Sequence, residues 1–169
     1  MRSLDKLDSQ LLRMLMHDAR TGVMELSSKL GVSRNTIQSR LRRLEEMHLV
    51  VGYQPVLDLE KAGFAVQAFI SIEIEQGRLT SVVDQLTAIA AVLEIHTTTG
   101  RNDLLVRVAT ATQAELQRLI ERVVAVPGVV HASTTLSLTN PLRMRVDPLL
   151  DQITRDAGWG RSTPSPKGR

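Results

Sequence analysis

The sequence predicts an α+β protein in two parts: a short helical head, then a sheet carrying helices on one face. Three features carry this. Residues 4–49 set aliphatic side chains at helical spacing, interrupted by a glycine turn. From Phe64 the hydrophobic period switches to two. Beyond that point strand-like and helix-like stretches alternate, giving two strand–helix–strand units of similar length.

Within the head, residues 4–17 place Leu4, Leu7, Leu11, Leu12 and Leu15 on one helical face, with Asp5 or Asp8 as N-cap. The stretch 18–22 breaks that pattern, and a short helix over about Val23–Leu30 follows. Gly31-Val32-Ser33 then reads as a tight turn, with Gly31 supplying the permissive backbone and Ser33 capping a helix from Arg34 to about Leu49. Residues 50–57 read as an extended or hairpin connector, since Pro55 opposes a helix.

In the second part, residues 65–75 alternate, with Val66, Ala68, Ile70, Ile72 and Ile74 on one side of a half-buried strand. Residues 79–91 form an amphipathic helix that turns Leu79, Val82, Val83, Leu86 and Ile89 inward. Two strands, Leu93–Thr99 and Leu104–Thr110, are joined by the turn Gly100-Arg101-Asn102-Asp103. A helix over Thr112–Ala125 stops at Pro127-Gly128, and Val129–Leu138 is the last strand. The order β-α-β-β-α-β is that of a ferredoxin-like sandwich, an antiparallel sheet with both helices on one face. The free face, carrying Phe69 and Thr97, is expected to pair with a second copy. The expected boundaries are 1–50 for the head, 51–63 for the linker, 64–140 for the sandwich and 141–169 for a basic, partly disordered extension. Residues 160–169 read as disordered and Trp159 as exposed.

Composition narrows the function. Of 169 residues 43% are hydrophobic, enough to pack a core. The chain has no cysteine, which excludes disulfides, thiol catalysis and thiolate-held zinc or iron–sulfur centres. It has neither an apolar stretch long enough to span a membrane nor a signal-like N-terminus, so a soluble cytoplasmic protein is expected. His17, His48, His96 and His131 are scattered without ligand spacing, so no metal is expected. The absence of dinucleotide, phosphate-loop and nucleophile-elbow motifs leaves no expected cofactor or catalytic residue.

The net charge of +3 says little, but its distribution says more. Residues 33–43 contain Arg34, Arg40, Arg42 and Arg43 and no acid. On a helical wheel, Ile37, Leu41, Leu44 and His48 form the buried stripe. The opposite face presents Asn35, Gln38, Ser39 and Arg42, flanked by Arg34 and Arg43. Such side chains reach phosphates and base edges: arginine pairs with guanine, and asparagine or glutamine with adenine. In a helix-turn-helix the second helix enters the major groove N-terminus first, which adds Ser33 and Thr36 to the expected DNA contacts. The partner is then double-stranded DNA.

The motifs LDKLDSQLLRML, ELSSKLGVSRNTIQSRLRRLEEMHLVVGY, GRNDLLVRV and VPGVVHASTTLSL together resemble the leucine-responsive/asparagine-regulator (Lrp/AsnC, feast/famine) family of prokaryotic transcription factors. The resemblance covers about residues 4–140. It implies a winged-type helix-turn-helix joined to an α/β domain, and homodimers that assemble into tetramers, octamers or larger discs. It also implies an amino-acid or related effector held between dimers around the turn after the second strand. Here that region is Thr98, Thr99, Gly100, Arg101, Asn102 and Asp103, with Leu136 on the last strand. Backbone N–H groups near Gly100 can hold a carboxylate, and Asp103 can pair an ammonium or merely stabilise the turn. Relatives often have aromatic residues in this turn, where this chain has Arg101, Asn102 and Leu104. Two alternatives share the architecture: a DNA-bending protein with no effector, and a tetrapyrrole decarboxylase. The arginine-rich helix argues against the second.

Overall fold

The computed structural model describes residues 4–160. They form two compact units, one built from residues up to Val56 together with those from Arg143 onward, the other from Leu57–Leu142. Among the described residues, no helix is long and apolar enough to cross a membrane.

The first unit holds α1 (Lys6–His17), α2 (Val23–Leu30) and α3 (Arg34–Glu46). Asp5 caps α1: its side chain accepts from the backbone N–H of Asp8, while the Asp8 carboxylate accepts from that of Asp5. Leu7, Leu11, Leu26, Ile37 and Leu44 are fully buried at the centre, each worth about 1.5–3 kcal/mol against an exposed position. Gly31 ends α2 with φ of 67°, a left-handed conformation that a side chain would strain. Helix α3 stops at Glu46, three residues before the expected end. His48 takes φ of 53° just beyond it and is exposed, so it is a helix-end residue and no part of the buried stripe. Residues 51–57 are extended and form no strand, so the expected wing has no sheet here. The Tyr53 hydroxyl, which donates to Glu45 Oε1 at 3.1 Å, ties this connector back to α3.

The C-terminal extension departs most from expectation. Residues Asp147–Thr154 form a further helix, α6, started by Pro148 in its first turn. Leu150 is buried in the same core as α1–α3, and Trp159 packs against that core half-buried where exposure was expected. The Lys6 N–H donates to the Gly158 carbonyl at 3.0 Å, and Arg13 pairs with Asp151. The expected disordered stretch lies, apart from Gly160, outside the described residues.

The second unit is the expected sandwich. Strands β1 (Val66–Ile74), β2 (Val92–Thr97), β3 (Leu104–Thr110) and β4 (Val129–Ser137) form one antiparallel sheet in the order β2-β3-β1-β4. Helices α4 (Leu79–Thr87) and α5 (Gln113–Val124) cover one face. Ala68, Ile70, Ile72, Leu104, Val106 and Val108 point from the sheet into the core, where Val82, Leu86, Leu116, Leu119 and Val123 meet them. Leu79, expected inward, is exposed because it opens the first turn of α4. On the open face, Phe69 lies between Arg107 of β3 and Thr135 of β4. Thr97 is not there: it pairs with Leu104, on the helix-covered side.

Candidate nucleic-acid interface

The candidate interface begins at the α2–α3 turn. Ser33 Oγ accepts from the Thr36 N–H at 3.1 Å and lies 2.9 Å from the Thr36 hydroxyl, so these two expected DNA-contacting residues also close the helix N-terminus. With no acid in its first turn, α3 presents its positive dipole end there. Arg34, Asn35, Gln38, Ser39 and Arg42 are exposed, and the Arg34 guanidinium lies against the Met24 sulfur of α2 at 3.1 Å. These side chains therefore share one open helical surface.

Arg43 differs. Its guanidinium pairs with the Asp8 carboxylate, which is wholly buried. Arg40, which the wheel left off the DNA face, pairs with both Asp5 and Asp8, the latter at 3.0 Å. Burial alone would lower the Arg40 pKa, but hydrogen bonds and charge attraction from Asp5 and Asp8 outweigh it and leave the pKa raised. The wheel sets Arg43 at the flank of the exposed row, and the structure turns its guanidinium toward Asp8 of α1. The signal was in the sequence as two matched spacings, Asp5 with Asp8 and Arg40 with Arg43, each three residues apart and so on one helix face.

The expected effector turn is held by its own polar groups. Thr98 Oγ1 donates to the Asn102 carbonyl at 2.7 Å, and the Thr98 N–H donates to the Asp103 carbonyl at 2.8 Å. Asp103 Oδ2 accepts from the Ile74 N–H at 2.8 Å. Thr99, Gly100 and Arg101 are exposed at the tip. Leu136 is not brought to this turn within one chain. It pairs with Ala68, four residues along β1 from Ile72, whose carbonyl accepts from the Asp103 N–H. Four residues of strand are about 13 Å. A depression of about 210 Å³ on the open face, lined by Gln67, Phe69, Arg107 and Ser137, lies toward the Leu136 end of the sheet.

Two family descriptions match in series: an AsnC-type helix-turn-helix domain over residues 4–45 and an Lrp/AsnC ligand binding domain over residues 67–147. The proline dehydrogenase transcriptional activator of Rhizobium radiobacter is 30% identical over 135 residues, covering 78% of this chain and 86% of that protein. Among solved structures, that of E. coli AsnC superposes with a TM-score of 0.80 at 27% identity, covering 86% of this chain and 99% of that one. A transcriptional regulator from Neisseria meningitidis, solved as its L-Met complex, gives a TM-score of 0.80 at 23% identity, covering 87% and 99%. With the capped helix-turn-helix and the four-stranded sandwich in the same order, the chain belongs to the Lrp/AsnC family of DNA-binding transcriptional regulators.

Proposed function

We propose that this regulator reads double-stranded DNA by laying the N-terminal half of α3 in the major groove. Asn35, Gln38, Ser39 and Arg42 would face base edges, while Ser33, Arg34 and Thr36 would contact the backbone. The observation that carries this is the exposed, capped N-terminal part of α3, which has no acid from Arg34 to Arg43. The chain acts by binding, not catalysis, and works in the cytoplasm.

The second unit senses and assembles. An amino acid or related metabolite would bind at the 98–103 turn, its carboxylate on exposed backbone N–H groups and its ammonium on Asp103. The L-Met complex of the Neisseria regulator, similar in fold, supports that ligand class. Leu136 could join this site only from another copy. The open sheet face around Phe69 would form the homodimer, and dimers would build tetramers, octamers or larger assemblies. Effector binding then shifts which arrangement prevails, and with it which half-sites are occupied together.

The decisive experiment measures binding to the best duplex selected from a random pool. Arg42→Ala and Gln38→Ala should each weaken it, by roughly 5- to 150-fold if a bidentate base contact worth about 1–3 kcal/mol is lost, with the oligomer unchanged. Wild-type affinity in both variants would refute the assignment. For the sensing half, a ligand at about 100 times its Kd contributes about 2.7 kcal/mol. A selective rise of several degrees in Tm with one amino acid is expected, and no rise across a broad metabolite panel would leave DNA binding without an effector.

A further inference from the structure

Helix α3 carries two classes of arginine. Arg34 and Arg42 lie open, whereas the side chains of Arg40 and Arg43 are only 15% and 26% exposed and turn back toward α1. There they meet Asp8, whose side chain is 0% exposed. Asp8 Oδ1 accepts from Arg40 Nη1 at 3.0 Å, and Oδ2 accepts from Arg43 Nη2 and, at 3.1 Å, from the Asp5 N–H. Asp5 Oδ1 holds the Asp8 N–H at 2.9 Å, while Oδ2 takes Arg40. The carboxylate is therefore fixed by the start of α1 and grips α3 at two points about one turn apart. Arg43 Nε is buried without a hydrogen-bond partner, a cost that the pairing of Nη2 with Asp8 must outweigh.

Two attachments one turn apart resist rotation of a helix about its own axis better than aliphatic packing does, because packing is non-directional and charged hydrogen bonds are not. Rotation is the motion that matters for readout. A roll of about 20° swings a side-chain tip roughly 5–6 Å from the axis by about 2 Å. Hydrogen-bond geometry does not survive such a displacement.

We propose that Asp8 is a positioning residue for DNA sequence readout. It sets the roll of α3 by holding Arg40 and Arg43 inward, and it withholds Arg43 from the phosphates. This rests on the reading that α3 enters the groove. Asp8 touches no base, yet the discrimination achieved by Gln38 and Arg42 depends on it.

The test compares full-length wild type, Asp8→Asn, Arg43→Gln, Asp8→Asn/Arg43→Gln and Arg42→Ala. Each is titrated across a salt series with the best duplex selected from a random pool and with a scrambled duplex of equal length. Each phosphate contact contributes about 0.9 to the slope of log affinity against log salt. Arg43→Gln should leave that slope at the wild-type value and lower the selected-to-scrambled ratio about threefold, since one grip is lost. Asp8→Asn should steepen the slope by about 0.9 as Arg43 becomes free to reach a phosphate, with the ratio falling about tenfold. The double variant should recover the slope but not the ratio.

A slope shallower by about 0.9 in Arg43→Gln would make Arg43 a phosphate contact and overturn the proposal. So would an unchanged ratio in that variant, or in a folded Asp8→Asn. Should Asp8→Asn fail to fold, the Arg43→Gln slope and ratio still decide. If instead wild type shows no preference for the selected duplex, or Arg42→Ala binds it normally, the groove-facing assignment of α3 is what has failed.

Discussion

The two units bury aliphatic side chains in contrasting ways. The sandwich packs Ala68, Ile70, Ile72, Val106 and Val108 against two helices, and the ion pairs of its unit, such as Glu75 with Arg78 and Asp58 with Lys61, lie at the surface. The head has a smaller core and sets the Asp5–Asp8–Arg40–Arg43 cluster beside it. Apolar packing supplies stability in proportion to area but directs nothing. A buried ion cluster adds little net stability over an apolar replacement, yet it penalises every arrangement that leaves a charge unpaired. The directional pairs thus concentrate in the unit that carries the helix-turn-helix, while the core of the sandwich is held by apolar packing.

The comparison breaks most readily at Asp8. Asp8→Ala strands the Arg43 guanidinium, leaves Arg40 on Asp5 alone, and should cost the head about 3–5 kcal/mol in urea unfolding. A cost near zero would mean that solvent or another carboxylate takes over, and that the cluster is ornamental. In the sandwich, Ile70→Ala should cost about 2–5 kcal/mol through lost transfer energy and a residual cavity, without altering DNA affinity per folded molecule. A specific loss of DNA discrimination there would blur the division of labour. Gly160 is a smaller test: its φ is 87°, and a side chain would run into Arg40 and Asp5. Gly160→Ala should cost about 1–2 kcal/mol and shift the emission of Trp159, the only tryptophan. The smallest effect has the opposite sign. His48 holds a left-handed conformation after α3, so His48→Gly should stabilise by about 1 kcal/mol, raising Tm by a few degrees.

Local periodicity carried most of the fold. Helix α2 and strand β3 have the expected bounds because a glycine or a turn stops each and the apolar period within is unbroken. Helix α6 was legible too, with Val146, Leu149, Leu150 and Ile153 at helical spacing around Pro148, although only Leu150 of these is buried. The exposure of Asn35, Gln38 and Arg42 was legible because their own helix sets it. The pairing of Arg43 was not, because its partner lies 35 residues earlier and a helical wheel contains no neighbours. Strand register, which no single segment encodes, likewise sets Leu136 beside Ala68, away from the 98–103 turn of its own chain.

The burial of Leu150 and the half-burial of Trp159 in the first unit set an order of events during synthesis. The ribosome releases α1–α3 first, then the whole of 57–142, and only afterwards the segment that closes the head. Domains fold as units while the chain emerges, so the sandwich can be complete before the head is. A nascent or prematurely terminated chain would therefore carry a finished sensor and an unfinished reader. The last residues to be made are thus ones that the DNA-binding unit needs to complete its core.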